Sequence, residues 1–433
     1  MKFWKITSAL ALSLGVALSA PAGAVEKRDG KFWMVLGGRQ PVSHVDPGQA
    51  YDYAVRMMTQ ALYDGLVKYS GDQPKVEPWL ATDWTTSDDG LVWTFNLAPE
   101  ARFNNGDPVT ADAVVYSYQR VLKLNEGAAW MLSDVLSAEN IKALDEHTVE
   151  FTLDRPYAPF LSFLPWWFIV NPAEVETHVT DEDYGKAWLS ENAAGSGPYT
   201  LEKFDQGTAY WLKRNPNYWK GFPYDDEKMG GVIYRLIRET SSQRAALLSG
   251  EADMVTDLTP EELDIVGQRP DINVSSTPAL TSFGIKMNTQ GQYMSDINLR
   301  KAVAYAFDYE TFVQVYNGNA TLQTSAFTDA IKGKVEIDMP RKDMEKAREY
   351  LSKSQWPDGG ITLEYVYVQG LEQQRQMGLA LLNSLRELNI ELEMTPLTWP
   401  NMVARAADAG ESPDLMSIFT TPVSTDPDAV AVQ

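Results

Sequence analysis

The sequence predicts an α/β protein, and three observations carry that expectation. The chain has 433 residues, 44% of them hydrophobic and 22% charged, which describes a globular molecule with a large core and room for two to four domains. Short runs of alternating apolar residues, bounded by Gly, Asn, Asp and Pro, recur along it and read as strands. From Gly195 onward these runs alternate with amphipathic stretches of helical period, the pattern of helices layered on a sheet.

Lys31 to Gly37 (KFWMVLG) is the first strand, followed by a loop that closes near Asp46-Pro47. Tyr51 to Leu66 is helical, with Tyr53, Met57, Ala61 and Leu62 near helical spacing. Trp84 to Asn96 forms two strands about the turn Ser87-Asp88-Asp89-Gly90. Asn104-Asn105-Gly106-Asp107 is a second such turn, and Thr110 caps a helix from Ala111 to Leu122. Up to this point the chain reads as an α+β subdomain. Beyond Gly195 come strands at Tyr199 to Phe204, Ala209 to Arg214 and Val232 to Arg238, then a helix from Ser241 to Leu248 closed by Ser249-Gly250. The last third holds strands at Phe283 to Met287, Thr362 to Val368 and Asp414 to Phe419. Its helices are Ile297 to Phe307, Met344 to Lys353 and Glu372 to Leu388.

Thirty-seven basic against 59 acidic residues give a formal charge of −22. Phosphate binding needs a basic surface, so nucleic acid is excluded as a partner. Lys2 and Lys5 precede an uncharged run from Ile6 to Ala20, and Ala22-Gly23-Ala24 is the small-x-small pattern of a cleavage site, so residues 1 to 24 read as an export signal. Its removal takes the charge to −24. The run is shorter than the ~20 residues that span a bilayer. Cysteine is absent, which removes both disulfide staples and the residue that carries a lipoprotein anchor, so the expected location is a Gram-negative periplasm, unanchored.

Enzyme chemistry finds little support. His44, His147 and His178 are far apart, and neither a nucleophile elbow, a dinucleotide turn nor a phosphate loop occurs. Asp88-Asp89 and Asp225-Asp226-Glu227 could supply the paired carboxylates of a glycosidase, but each sits in a polar turn and reads as solvated. No cofactor or metal is expected. Thirteen Trp and 20 Tyr supply flat side chains fit for core or ligand cleft, among them Trp130, Trp166-Trp167-Phe168, Tyr367 and Trp399.

Several stretches resemble the family 5 extracellular solute-binding proteins that feed ABC importers. They are ALYDGLVKYSG (61 to 71), VEPWLATDWTTSDDGLVWTFNL (76 to 97), FNNGDPVTADAVVYSYQRV (103 to 121), GSGPYTLEKFDQGTAYWLKRNPNYWKG (195 to 221), QRAALLSGEADMV (243 to 255) and LRKAVAYAFDYETFV (299 to 313). The resemblance implies a two-lobed flytrap: lobe I core at 25–68 and 196–278, an extra α+β subdomain at 69–195, and lobe II at 279–433, reached through strands near Ser275 to Gly284. Lobe II is expected to be incomplete at Gln433, where members of the family usually continue. The implied partners are a small-molecule or peptide solute and the membrane permease subunits, with the receptor a monomer. The competing readings are a secreted glycan-degrading enzyme and a periplasmic sensor or chaperone on the same scaffold.

Asp426-Pro427-Asp428 resembles the family's Asp-Pro turn. Peptide binders carry a Trp and an amine-pairing Asp just before it, where this chain has Thr420 and Val423. Neither can pair with an ammonium, so the expectation is a solute other than a free-amine peptide, or replacement of the anchor by Asp426. Arg39 could meet an anionic group, Thr420 could hydrogen-bond, and Trp399 and Phe419 could stack.

Overall fold

The computed structural model describes residues 26–427 apart from 29, 72–74, 223–228, 276–280, 317, 326, 329, 330, 332, 409 and 425. Residues 1–24, expected above to be an export signal, the Asp225-Asp226-Glu227 run, Asp428 and part of the expected crossing near Ser275 to Gly284 lie outside the described residues.

The first long strand of lobe I is β1 (Lys31–Gly38), preceded by the short antiparallel partner Glu26–Arg28 and buried on both faces beyond its first residues. Helix α1 (Tyr53–Leu62) follows the loop, capped by Asp52, whose carboxylate accepts from the Val55 N–H. The helix is shorter than its sequence pattern at both ends. Tyr63 turns extended because the Leu62 carbonyl accepts from the Gly197 N–H, an approach so close that a Cβ at Gly197 would fall 2.5 Å from the Leu62 carbonyl carbon. The buried stripe is Ala54, Val55, Met58 and Leu62, so Tyr53, which is 66% exposed, stands on the opposite side.

The subdomain is an antiparallel sheet in the order β2 (Ala81–Thr86), β3 (Val92–Leu97), β5 (Thr148–Thr152), β4 (Ile141–Asp145), covered by helix α2 (Ala111–Leu124). Thr110 caps α2 as its sequence suggests, and Asn125 ends it in the left-handed region. Phe95, Phe151, Phe160, Phe163, Tyr118 and Trp167 form its aromatic core. The returning segment brings Phe168, Val170, Val175 and Leu189 against Leu36, Val55, Met58 and Tyr210 of the lobe I core.

The chain then completes the lobe I sheet with β6 (Tyr199–Asp205), β7 (Ala209–Arg214) and β8 (Met229–Leu236). Helix α3 (Thr240–Ser249), β9 (Met254–Val255) and helix α4 (Pro260–Val266) follow. Strands β8 and β9 both run parallel to β1. Lobe II contains β10 (Ser282–Met287), α5 (Ile297–Ala306), α6 (Met344–Ser352), β11 (Ile361–Val368), α7 (Glu372–Arg386), β12 (Ile390–Leu397), α8 (Trp399–Ala407) and β13 (Leu415–Thr420). Its sheet runs β10-β13-β11-β12, with β11 parallel to both neighbours and β10 antiparallel to β13. The β4–β5 hairpin, β12 and α8 have no counterpart in the sequence reading.

One buried contact joins the first loop to the subdomain. Arg120 on α2 grips Asp46 through both Nη atoms, at 2.8 and 2.7 Å, and its Nε donates to the Tyr184 carbonyl at 2.6 Å. Asp46 is fully buried and also accepts from the Gly48 N–H and the Gln49 amide. Removing one partner strands a desolvated charge, so Arg120→Met is expected to cost about 3–5 kcal/mol, with Asp46→Asn in the same chain recovering part of it. Urea denaturation followed by circular dichroism measures both; a loss under about 1 kcal/mol would show the pair to be dispensable.

Candidate functional site

Both lobes turn the carboxyl ends of their parallel strands toward each other. On lobe I, β1 ends beside Arg39 and β9 runs out to Asp257; on lobe II, β11 ends before Gly370, β12 before Trp399 and β13 at Thr420. Arg39 Nη1 donates to the Gly370 carbonyl at 3.2 Å, which places these ends in contact across the interlobe boundary. Loops at the carboxyl ends of parallel strands gather side chains from separate strands into one crevice, the usual seat of ligands in such sheets. Here two such crevices share one gap.

Arg39 is held from its own side as well: its N–H donates to Asp257 Oδ2 at 3.4 Å and its guanidinium lies 3.7 Å from Oδ1. A second crossing lies beyond β13. There the chain runs onto the subdomain, Trp166 Nε1 donates to the Val423 carbonyl at 2.7 Å, and Val423 packs into the subdomain core. Between α4 and α7 the gap closes to about 30 Å³ among Thr259, Glu261, Tyr316 and Glu372, room for roughly one water molecule. A larger concavity, about 360 Å³, is an open groove on lobe I alone, lined by Glu174, Trp188, Glu191, Glu202 and Lys203.

Aromatic rings wall the lobe I side. Tyr51 meets Trp130 and Trp166 at ring separations of 6.4 and 6.3 Å. Arg56, on the first turns of α1, lays its guanidinium 3.4 Å from the Trp166 ring centre, and its Nη2 donates to the Pro165 carbonyl at 3.0 Å. Its Nη1 is buried without a hydrogen-bond partner. Burial lowers Arg56 to about 9, with the nearby Tyr69 hydroxyl acting in the opposite direction. Burial likewise pushes the Tyr69 hydroxyl up, opposed by Arg56 and reinforced by Asp426.

A buried carboxylate braces this wall from behind. Asp64 accepts from Trp79 Nε1 (2.7 Å), Trp219 Nε1 (2.9 Å), Ser196 Oγ (3.0 Å) and Tyr218 OH (3.2 Å), and its carbonyl accepts from the Ile169 N–H. Burial raises its pKa against the pull of those four donors. The set occupies every lone-pair direction of the carboxylate, which reads as a structural node rather than a reactive group.

The residues singled out in the sequence fall into two groups. Arg39, Thr420, Val423 and Asp426 lie at the interlobe boundary; Arg39 is already neutralised within the chain, and Val423 is buried against lobe I, where its carbonyl rather than its side chain makes the polar contact. Asp426 opens the Asp-Pro sequence, its N–H donating to Ser424 Oγ at 3.1 Å. Phe419 is 38% exposed and stacks on Phe283 at 4.4 Å. Trp399 opens α8 at the β12 end, 45% exposed. Of Trp166-Trp167-Phe168, Trp167 and Phe168 are buried in the cores of the subdomain and lobe I, and Trp166 alone lies at the boundary. Arg56, Tyr69 and Asp257 were not singled out; a lone Arg within the apolar YAVRMMTQAL was the available signal for the first.

Residues 75–432 match the family described as bacterial extracellular solute-binding proteins, family 5 Middle. A probable D,D-dipeptide-binding periplasmic protein, DdpA of Escherichia coli K12, is 31% identical over 378 residues, which is 85% of this chain and 70% of that protein. The glutathione-binding protein GsiB of Salmonella typhi is 27% identical, covering 82% and 67% respectively. Among solved structures, the periplasmic binding protein DppA of Helicobacter pylori in complex with the peptide STSA superposes with a TM-score of 0.80 at 24% identity, over 92% of this chain and 79% of that one. The two-lobed fold is thus shared.

The cross-lobe hydrogen bonds set how tightly the unliganded lobes hold together. Removing two of them, from Arg39 and Trp166, in Arg39→Ala with Trp166→Phe is expected to favour the open form by about 2 kcal/mol, roughly 30-fold in population, with the longer Tyr69 OH to Val423 carbonyl bond left in place. Small-angle scattering should show a larger radius of gyration than the parent chain, and an unchanged radius would show that these contacts do not govern closure.

Proposed function

The chain belongs to the bacterial extracellular solute-binding proteins of family 5, a binding component of ABC import rather than an enzyme, and on that premise we propose that it captures a peptide-sized solute between its lobes and delivers it to a membrane permease. The observation that carries the reading is the meeting of Arg39 and Gly370, which brings the carboxyl ends of both parallel-stranded sheets to one gap. A ligand that touches both lobes shifts the hinge toward closure, because only differential affinity for the two states moves the equilibrium. Closure then presents a single surface to the permease.

The relatives' printed ligands, a D,D-dipeptide and glutathione, set the size class of the solute. Val423 in place of an acid argues against an ordinary free amine as the anchor, since an ammonium in a desolvated gap needs a paired carboxylate. In this reading the lobes divide near residue 279, aromatic walls at Tyr51, Trp166, Phe419 and Trp399 supply stacking, and Thr420 and Asp426 supply polar contacts. The receptor works as a monomer, does not engage nucleic acid, and acts in the periplasm after removal of residues 1–24. Among the described residues no helix is long and apolar enough to cross a membrane. The enzyme alternative finds no counterpart among the named relatives.

Two measurements test this. Native mass spectrometry of protein purified from a periplasmic extract is expected to show one bound small solute per chain and a first residue of Val25. Adding that solute to stripped protein should shrink the radius of gyration and raise Tm by mass action. Turnover of the solute, or binding with no compaction and no rise in Tm, would overturn the receptor reading.

A further inference from the structure

Among the described residues, one cation beside the interlobe crossing, Arg56, has no ion-pair partner. Arg56 stands where α1, the Pro165-Trp166 segment and the chain beyond β13 converge, and Trp166 touches both Arg56 and Val423. A guanidinium offers five donors. Nη2 is used by the Pro165 carbonyl, the cation's face is covered by the Trp166 ring, and a second ring, Phe168, lies 5.7 Å away. Nη1 is shut off from solvent and donates to no atom of the described residues. Among the described residues Arg56 has no carboxylate within ion-pair distance, although Asp46 with Arg120, Glu364 with Arg405 and Glu372 with Arg375 show how this chain neutralises an arginine when the role is structural.

Resting on the receptor reading, we propose that Arg56 is a specificity-determining residue that binds a carboxylate of the solute through Nη1, so that the transported class is organic acids, including amine-blocked peptides with a free carboxylate. The polarity of the site agrees with this. The donor left over on Arg56 belongs to a cation, so the complementary solute group is an anion. Because the chain as a whole is strongly acidic, long-range attraction cannot recruit an anion, and at physiological salt only a local cation within about 8 Å can hold one. Aromatic walls suit a small organic carboxylate better than a strongly hydrated phosphate or sulfate.

The probes are acetate, phosphate and sulfate at constant ionic strength, followed by N-acetyl-dialanine and its carboxamide, with binding read by calorimetry and Tm. Wild type is expected to gain Tm with acetate and not with phosphate or sulfate, and to bind the acid at least tenfold tighter than the carboxamide. Arg56→Met should lose both differences while keeping its circular dichroism spectrum, and Arg56→Lys should restore part of them. Equal binding of acid and carboxamide by wild type, persistence of the preference in Arg56→Met, a response to phosphate equal to that to acetate, or no response to any carboxylate overturns the assignment. If an uncharged solute from a periplasmic extract compacts the protein while carboxylates do nothing, the Arg56 proposal falls and the receptor stands; if nothing compacts it, the receptor reading fails first.

Discussion

The buried pair of Asp46 with Arg120 is the constraint on which the lobe I side of the gap depends. The loop it pins begins at Arg39, which reaches lobe II, and ends at Tyr51 and Asp52; Asp52 caps α1, and α1 carries Arg56. A loop of that length, left to itself, would be costly to order and would not hold three side chains in fixed positions. The fork of Arg120 settles the matter by taking both oxygens of Asp46, whose remaining acceptor capacity is used by Gly48 and Gln49. A charge pair so enclosed is stable only because its hydrogen-bonding groups are met. Asp64 does the same work for the Phe168-Ile169 segment, tying Trp79, Ser196, Tyr218 and Trp219 to it. The two carboxylates thus tie the lobe I wall to its own core.

Much of the fold was legible in the sequence. Local signals are strongest where one residue has one job: Thr110 as a cap, Gly250 in the left-handed region at the end of α3, and the turn before Val92 all stand where their chemistry places them. The misses have physical reasons. β12 alternates as Ile390, Leu392 against Glu391, Glu393, but Pro396 breaks the run; the structure tolerates that proline because β12 is the edge strand of its sheet. The helix over Tyr51 to Leu66 was too long because the signal that ends it is a carbonyl taken by Gly197, more than 130 residues away.

The site was legible only as a location. The Asp-Pro turn marked where β13 leaves lobe II, and Arg39 marked the end of β1, yet which charge is satisfied depends on partners far along the chain. Arg39 finds Gly370 and Asp257, whereas Arg56, an unremarkable residue in an apolar helix, keeps one donor unmet beneath Trp166. Sequence shows the charges; only the fold shows which of them is left over.

Capture and release rest on the two lobes being separately rigid and weakly joined, each with its own apolar core. The absence of cysteine makes this directly measurable, because Lys142→Cys on the subdomain and Glu387→Cys on lobe II, both at exposed positions, give the only two labelling sites in the chain. Spin labels there report the distance between lobes by pulsed electron resonance. The account predicts a broad or two-peaked distribution without solute that collapses to its shorter component when the co-purified solute is added. A single distance that solute leaves unchanged would contradict it.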